Sequence, residues 1–371
     1  MSTVSKPKVI VIDDEPITQE TTLRLALGEQ VDLTVLAPDE VEVSHLKSPS
    51  LVLVDYHLDA WERPAFPISI CPPNGVALAG ILRQHANSAS AGPMAFAVYS
   101  AYLPELSAPL PPERRQPLIA RSHDLEWAFS KAQPGVAPEM LYRQINGLAS
   151  AVSTLPQRWP GEGTAARDAL ARFLGLSGKE SWFDDALKAV VACQPPLHEL
   201  STWSHGVAVI RWLLHRILPY PCFLFDRHYL ARRLQSTPTS VAHALREGGR
   251  LAELLQPCEY GGALEGFLGQ RWWQTGVDSI LATLRDPMDA GASLIRELDI
   301  ELESVVAEEP VVCLDEDYRL LDDLIDVSSA VRLQIDDWPD YATRPYARIE
   351  SAREHQRLQN LVLPLDKGLL N

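Results

Sequence analysis

"KVIVIDDEP" (residues 8–16) decides how the N-terminal part of this chain is read. Four consecutive apolar residues run directly into two aspartates and a glutamate. A short β-branched run without alternation is the pattern of a strand buried on both faces. Paired carboxylates at the end of such a strand either hold a cation or solvate a turn, and the rest of the chain has to decide.

The flanking sequence repeats the pattern. "ITQETTLRLALG" (17–28) has helical spacing and stops at Gly28. "VDLTVLA" (31–37) reads as a second strand, and "DEVEVSHLKSP" (39–49) as a short helix. "LVLVD" (51–55) is again an apolar run closed by an aspartate. "GVALAGILRQHA" (75–86) is helical and "MAFAVYSA" (94–101) is a further strand. Strands interleaved with helices predict a doubly wound parallel sheet with helices on both faces. In such sheets ligands bind beyond the carboxyl ends of the strands. Asp13, Asp14, Asp55 and Ser100 all fall at those ends. Two Pro-rich stretches, 57–74 and 103–117, read as long loops on the same edge.

The combination resembles the receiver domain of bacterial two-component response regulators. The resemblance spans roughly residues 7–135 and rests on "VIVIDDEP", "LVLVDYHLD", "NGVALAGILR" and "FAVYSA". It implies a receiver or flavodoxin-like fold and a phosphoryl-accepting site. Asp55 is then the phosphoacceptor, and Asp13, Asp14 and Asp55 hold Mg²⁺, a hard cation suited to oxygen ligands. Ser100 donates to a phosphoryl oxygen. The family also carries a lysine, usually before a proline, at the end of its fifth strand. Here the candidates are Lys131, in "KAQP", or Arg121, by spacing from Ser100. A histidine kinase or another signalling protein is the implied partner, and a divergent receiver acting as a binding scaffold is the other form of the same reading.

From about residue 139 the pattern becomes helical, with helices expected at 139–154, 164–175, 181–193, 205–218, 226–235, 239–256, 262–285 and 290–306. The expected domains are therefore a receiver-like α/β domain over 1–138, a mostly α-helical C-terminal domain over 139–309, and an acidic segment over 310–371. That last segment holds a strand-like "PVVCLD" (310–315) and a charged terminal helix at 348–362.

Within the helical part, "DRHYLARRLQSTPTSVAHALREGG" (226–249) has helix-turn-helix spacing. As a DNA reader it would use Ser240, His243 and Arg246 on base edges, and Arg232 and Arg233 on phosphates. Two helices and a short turn also build any helical bundle. The histidines His198, His205, His215 and His228 have no metal-ligand spacing and read as core or surface residues. The carboxylates of 313–326 lack the glycine and spacing of a Ca²⁺ loop and read as a solvated acidic face.

Composition narrows the function classes. The net charge of −16 disfavours non-specific binding to nucleic acid or anionic membranes. The acid excess is uneven, about −6 over 1–150, about −1 over 151–300 and about −9 over 301–371. The most apolar window, 207–225, contains two arginines, a histidine and two prolines, which argues against a membrane span. Five scattered cysteines without a C-x-x-C pair argue for a reducing compartment, and "MSTVSKPK" (1–8) is no apolar leader, so a cytoplasmic protein is expected. There is no P-loop, dinucleotide fingerprint or nucleophile elbow to mark a separate catalytic output. The absence of recognised output chemistry leaves a further reading open: an adaptor in a multi-gene bacterial stress or phage-defence system.

Overall fold

Five parallel strands run through the N-terminal part: β1 (Lys8–Ile12), β2 (Asp32–Leu36), β3 (Leu51–Val54), β4 (Ala95–Ser100) and β5 (Trp127–Ser130). Their spatial order is β2-β1-β3-β4-β5, the flavodoxin-like doubly wound arrangement. The computed structural model describes residues 6–61, 72–88, 92–101, 103, 107–131, 137–156, 159–160, 163–198, 206–246, 249–286 and 289–371.

Every residue of β3, β4 and β5 is buried, and so is β1 beyond Lys8. This is why these strands read as unbroken apolar runs. Alternate residues face opposite sides of the sheet. Ile10, Ile12, Val52, Val54, Phe96 and Val98 share one core with Leu78 and Leu82 of α2 (Gly75–Ser88). Val9, Val11, Leu51 and Leu53 face the other way. On that side α1 (Pro16–Leu27) packs on α4 (Pro138–Ser153), and α4 packs on β3 and β4. α3 (Arg115–Ser122) precedes β5.

Several expected boundaries shift. Residues 39–49 form two 3₁₀ turns, Pro38–Glu40 and His45–Lys47, rather than a helix. The 103–117 stretch ends inside α3, and residues 62–71 and 104–106 of the two expected loops lie outside the described residues.

The chain divides into two compact units. The first comprises 1–110, 114–173 and 196–215, so it extends past residue 138 to include α4, α5 (Thr164–Phe173) and α7 (Val207–Trp212). The second comprises 111–113, 174–195 and 216–371. It is mostly short helices: α6 (Phe183–Ala192), α8 (Arg227–Arg233), α9 (Pro238–Ala244), α10 (Arg250–Leu255), α11 (Gln274–Leu281), α12 (Ala290–Leu298), α13 (Ile349–Glu354) and α14 (Gln356–Leu361). Three two-stranded antiparallel ribbons accompany them: β6 (Leu224–Phe225) with β7 (Trp272–Trp273), β8 (Pro310–Val311) with β9 (Ile325–Asp326), and β10 (Ala330–Arg332) with β11 (Tyr346–Arg348).

Four expected helices are broken or shortened for local backbone reasons. The 239–256 stretch splits into α9 and α10, with Gly249 extended at the start of α10. In 262–285 only α11 is helical, because Leu264, Gly266 and Gly269 take positive φ and Trp272–Trp273 pairs as a strand. α12 stops at Leu298, where Asp299 turns left-handed. The terminal 348–362 helix breaks at His355, whose φ of −110° and ψ of 110° are extended.

Candidate functional site

The acid cluster is assembled by strand register. β1 and β3 pair with Ile12 opposite Val54. The backbone ladder continues one residue past the strand ends. Asp13 N–H donates to the Leu36 carbonyl at 3.1 Å, and Asp55 N–H donates to the Ile12 carbonyl at 2.9 Å. On the other side of the sheet, Lys131 N–H donates to the Ser100 carbonyl at 2.9 Å. Four neighbouring strands thus deliver Asp13, Asp55, Ser100 and Lys131 to one edge.

The side chains then meet. Lys131 Nζ donates to Asp13 Oδ2 and to Asp55 Oδ2, both at 2.9 Å. Carboxylate oxygens of Asp13, Asp14 and Asp55 lie within 4.8 Å of one another. Asp13 is buried at 1% exposure, while Asp14 and Asp55 are half-buried. Asp14 Oδ2 accepts the Ala60 N–H at 2.6 Å and Asp13 Oδ1 accepts the Glu15 N–H at 2.9 Å. Three converging carboxylates facing one ammonium fit a hard divalent cation such as Mg²⁺.

Burial pushes the Asp55 carboxyl above the usual aspartate value. Lys131 pulls it down by charge and hydrogen bond, and the Asp13 charge pushes it up again. Lys131 also sits over the ring of buried Tyr99, 4.7 Å from its centroid. The start of α2 is pressed against the same loop. Gly75 N–H donates to the Tyr56 carbonyl, and a Cβ at Gly75 would fall 1.8 Å from the Asp55 carbonyl oxygen. Only glycine fits there. Asn74 Oδ1 caps the same helix by accepting the Ala77 N–H at 3.0 Å.

Of the two cationic candidates, Lys131 stands at the acids. Arg121 lies on α3, near enough to His215 to disfavour that imidazole's protonation. Ser100 is fully buried at the end of β4.

A second buried acid was not singled out from sequence. Glu126, immediately before β5, is fully buried. Arg83 of α2 grips both its oxygens, at 3.2 and 3.1 Å, and Arg211 Nε of α7 donates at 2.7 Å. Both arginines also ion-pair with Asp124. His215 Nε2 lies 2.9 Å from the Glu126 carbonyl oxygen, and burial pushes this imidazole down to about 4. A neutral ring therefore donates its Nε2–H to that carbonyl.

The 226–249 segment does form two helices, α8 and α9. Asp226 caps the first and Thr237 the second, and Gln235 takes the left-handed turn position at φ 53°. Arg232 Nε donates to the Pro310 carbonyl at 2.8 Å, and Arg233 Nε to Asp278 Oδ1 at 2.6 Å. Ser240 Oγ accepts the Glu303 N–H at 2.9 Å. These three side chains are engaged with the chain's own atoms, while His243 and Arg246 are exposed. Residues 247–248 and His205 lie outside the described residues. Among the described residues, no helix is long and apolar enough to cross a membrane.

No family model matches the chain, and no curated protein matches it. Among solved structures it is similar to a response regulator receiver domain protein (CheY-like) from Methanospirillum hungatei JF-1. The identity is 13%, the match covers 39% of this chain and 95% of that one, and the TM-score is 0.26.

Proposed function

We propose that this chain is a receiver-type signalling protein whose α/β unit accepts a phosphoryl group on Asp55. The observation that carries the reading is the Lys131 ammonium bridging Asp13 and Asp55 at 2.9 Å each, beside Asp14, at the carboxyl edge of a parallel sheet. Asp13, Asp14 and Asp55 would hold Mg²⁺, which when bound supplies positive charge to the incoming phosphoryl oxygens.

An Asp55 carboxylate oxygen attacks phosphorus. The new O–P bond forms as the bond from phosphorus to the donor atom breaks, and the electron pair leaves with the donor. Lys131 keeps Asp13 and Asp55 together before transfer and ion-pairs with the added charge afterwards. The Ser100 hydroxyl donates to a phosphoryl oxygen. Gly75 lets the first turn of α2 lie against the Asp55 backbone, so the nucleophile's loop is held in place. The donor would be a phosphohistidine of a cytoplasmic histidine kinase, and the second unit would carry the output by contact with another protein.

The test uses the full chain with acetyl phosphate and Mg²⁺, read by intact mass. Wild type gains one phosphoryl group and Asp55→Ala gains none. An unmodified wild type, or equal modification of Asp55→Ala, would overturn the proposal.

A further inference from the structure

The second unit contains a pocket of about 460 Å³, within the size range of sites that take small molecules. Its walls combine the guanidinium groups of Arg227 and Arg271, the His228 ring and one carboxylate, Asp226, with an apolar surface that includes Leu245, Leu268 and Trp272. This is unusual in a chain whose net charge is −16.

The arginines are incompletely partnered. Arg271 Nη2 donates to the Leu218 carbonyl at 3.2 Å, and Nη1 to the Gln270 carbonyl at 3.1 Å. Among the described residues, no carboxylate lies within ion-pairing distance of Arg271. Burial holds its pKa below the ordinary arginine value, and the charge of Asp226 only partly opposes this. Asp226 Oδ1 is turned to the start of α8, where it accepts the N–H groups of His228 and Tyr229 at 2.8 and 3.0 Å. Asp322 is shared by Arg227 Nη2 at 2.8 Å and His228 Nε2 at 3.1 Å. The Arg227 Nε–H is buried and has no acceptor among the described residues.

A half-buried guanidinium without a carboxylate in ion-pairing distance, beside a second arginine with a buried unpaired donor, leaves hydrogen-bond capacity that an anion can complete. The planar guanidinium matches the oxygen spacing of carboxylates and phosphates. We infer that this pocket binds a small organic anion, its carboxylate or phosphate head on Arg271 with Arg227 beside it, and its apolar body against Trp272, Leu245 and Leu268. The site is separate from the Asp55 cluster and does not depend on phosphoryl transfer.

Isothermal titration of the full chain without Mg²⁺ tests this, using benzoate, phenyl phosphate and the neutral benzyl alcohol. At least one of the two anions binds saturably, and benzyl alcohol binds at least tenfold more weakly (about 1.4 kcal/mol). Tighter binding of benzoate assigns a carboxylate head, and tighter binding of phenyl phosphate a phosphate head. Arg271→Gln lowers the affinity by roughly tenfold or more. Ala242→Phe, which fills the pocket and keeps both arginines, abolishes binding, so the question stays answerable if Arg271→Gln fails to fold. No saturable binding of either anion, equal binding of benzyl alcohol, or unchanged binding in Ala242→Phe would overturn the inference.

Discussion

At the carboxyl end of the parallel sheet, three carboxylates cluster and two of them share one lysine; at the amino end, two carboxylates share two arginines. The first set is Asp13, Asp14 and Asp55 with Lys131. The second is Glu126 and Asp124 with Arg83 and Arg211. Both ends bury carboxylates, yet only the first leaves negative charge uncompensated. A balanced, bidentate set has nothing left to bind and acts as a clamp joining β5 to α2 and α7. Burial is the main cause of the raised Asp55 pKa; Lys131 opposes it and the charge of Asp13 adds to it. Adding a cation relieves the uncompensated charge. On the proposed reading, the excess of acid over base, rather than the number of acids, separates the candidate cation site from the structural clamp.

The comparison breaks most visibly if the clamp is dispensable. Glu126→Ala removes the buried partner of Arg83 and Arg211, leaving them only the exposed Asp124, and should cost about 3 kcal/mol in urea unfolding. Asp13→Asn, which lowers an excess of like charge, should cost far less. Equal losses would erase the distinction.

The two ends should also respond to pH with opposite signs. His215 is depressed to about 4 in the fold and titrates near 6.5 when unfolded, so the unfolded state binds the extra proton between those values. Its contribution is therefore present above pH 6.5 and lost as pH falls toward 4, by about 3 kcal/mol. A pH series of urea melts should show this loss, and His215→Gln should flatten it. Asp55 works the other way. Its folded pKa is raised, so its contribution is fully present below the ordinary aspartate value and lost as pH rises through the folded one. Asp55→Asn should then give a small rise in melting temperature at neutral pH without Mg²⁺. A fall would mean that the Lys131 ion pair outweighs burial and Asp13 repulsion.

The acidic end was legible in sequence because its physics is local. An apolar run buried on both faces, closed by an aspartate, occurs at both β1 and β3, and the parallel pairing brings the two ends together. Lys131 could not be separated from Arg121 by counting from Ser100, because the count depends on how the chain between them divides into turn, helix and strand. In the structure α3 takes up Arg121 and β5 ends one residue before Lys131. Glu126 left no local signal. A glutamate before a strand looks like any solvated turn, and its arginine partners lie 43 and 85 residues away. In the second unit the 262–285 stretch carries helical composition, but the positive-φ backbone at Leu264, Gly266 and Gly269 makes turns that apolar periodicity does not report.

The most direct test of the charge-imbalance account is a thermal melt of the full chain across a Mg²⁺ titration. The melting temperature should rise saturably in wild type, with about 2.7 kcal/mol gained at a hundredfold excess over Kd. The rise should vanish in the Asp13→Asn, Asp55→Asn double variant and persist in Asp124→Asn. A wild type indifferent to Mg²⁺, or a double variant that still responds, would contradict the account.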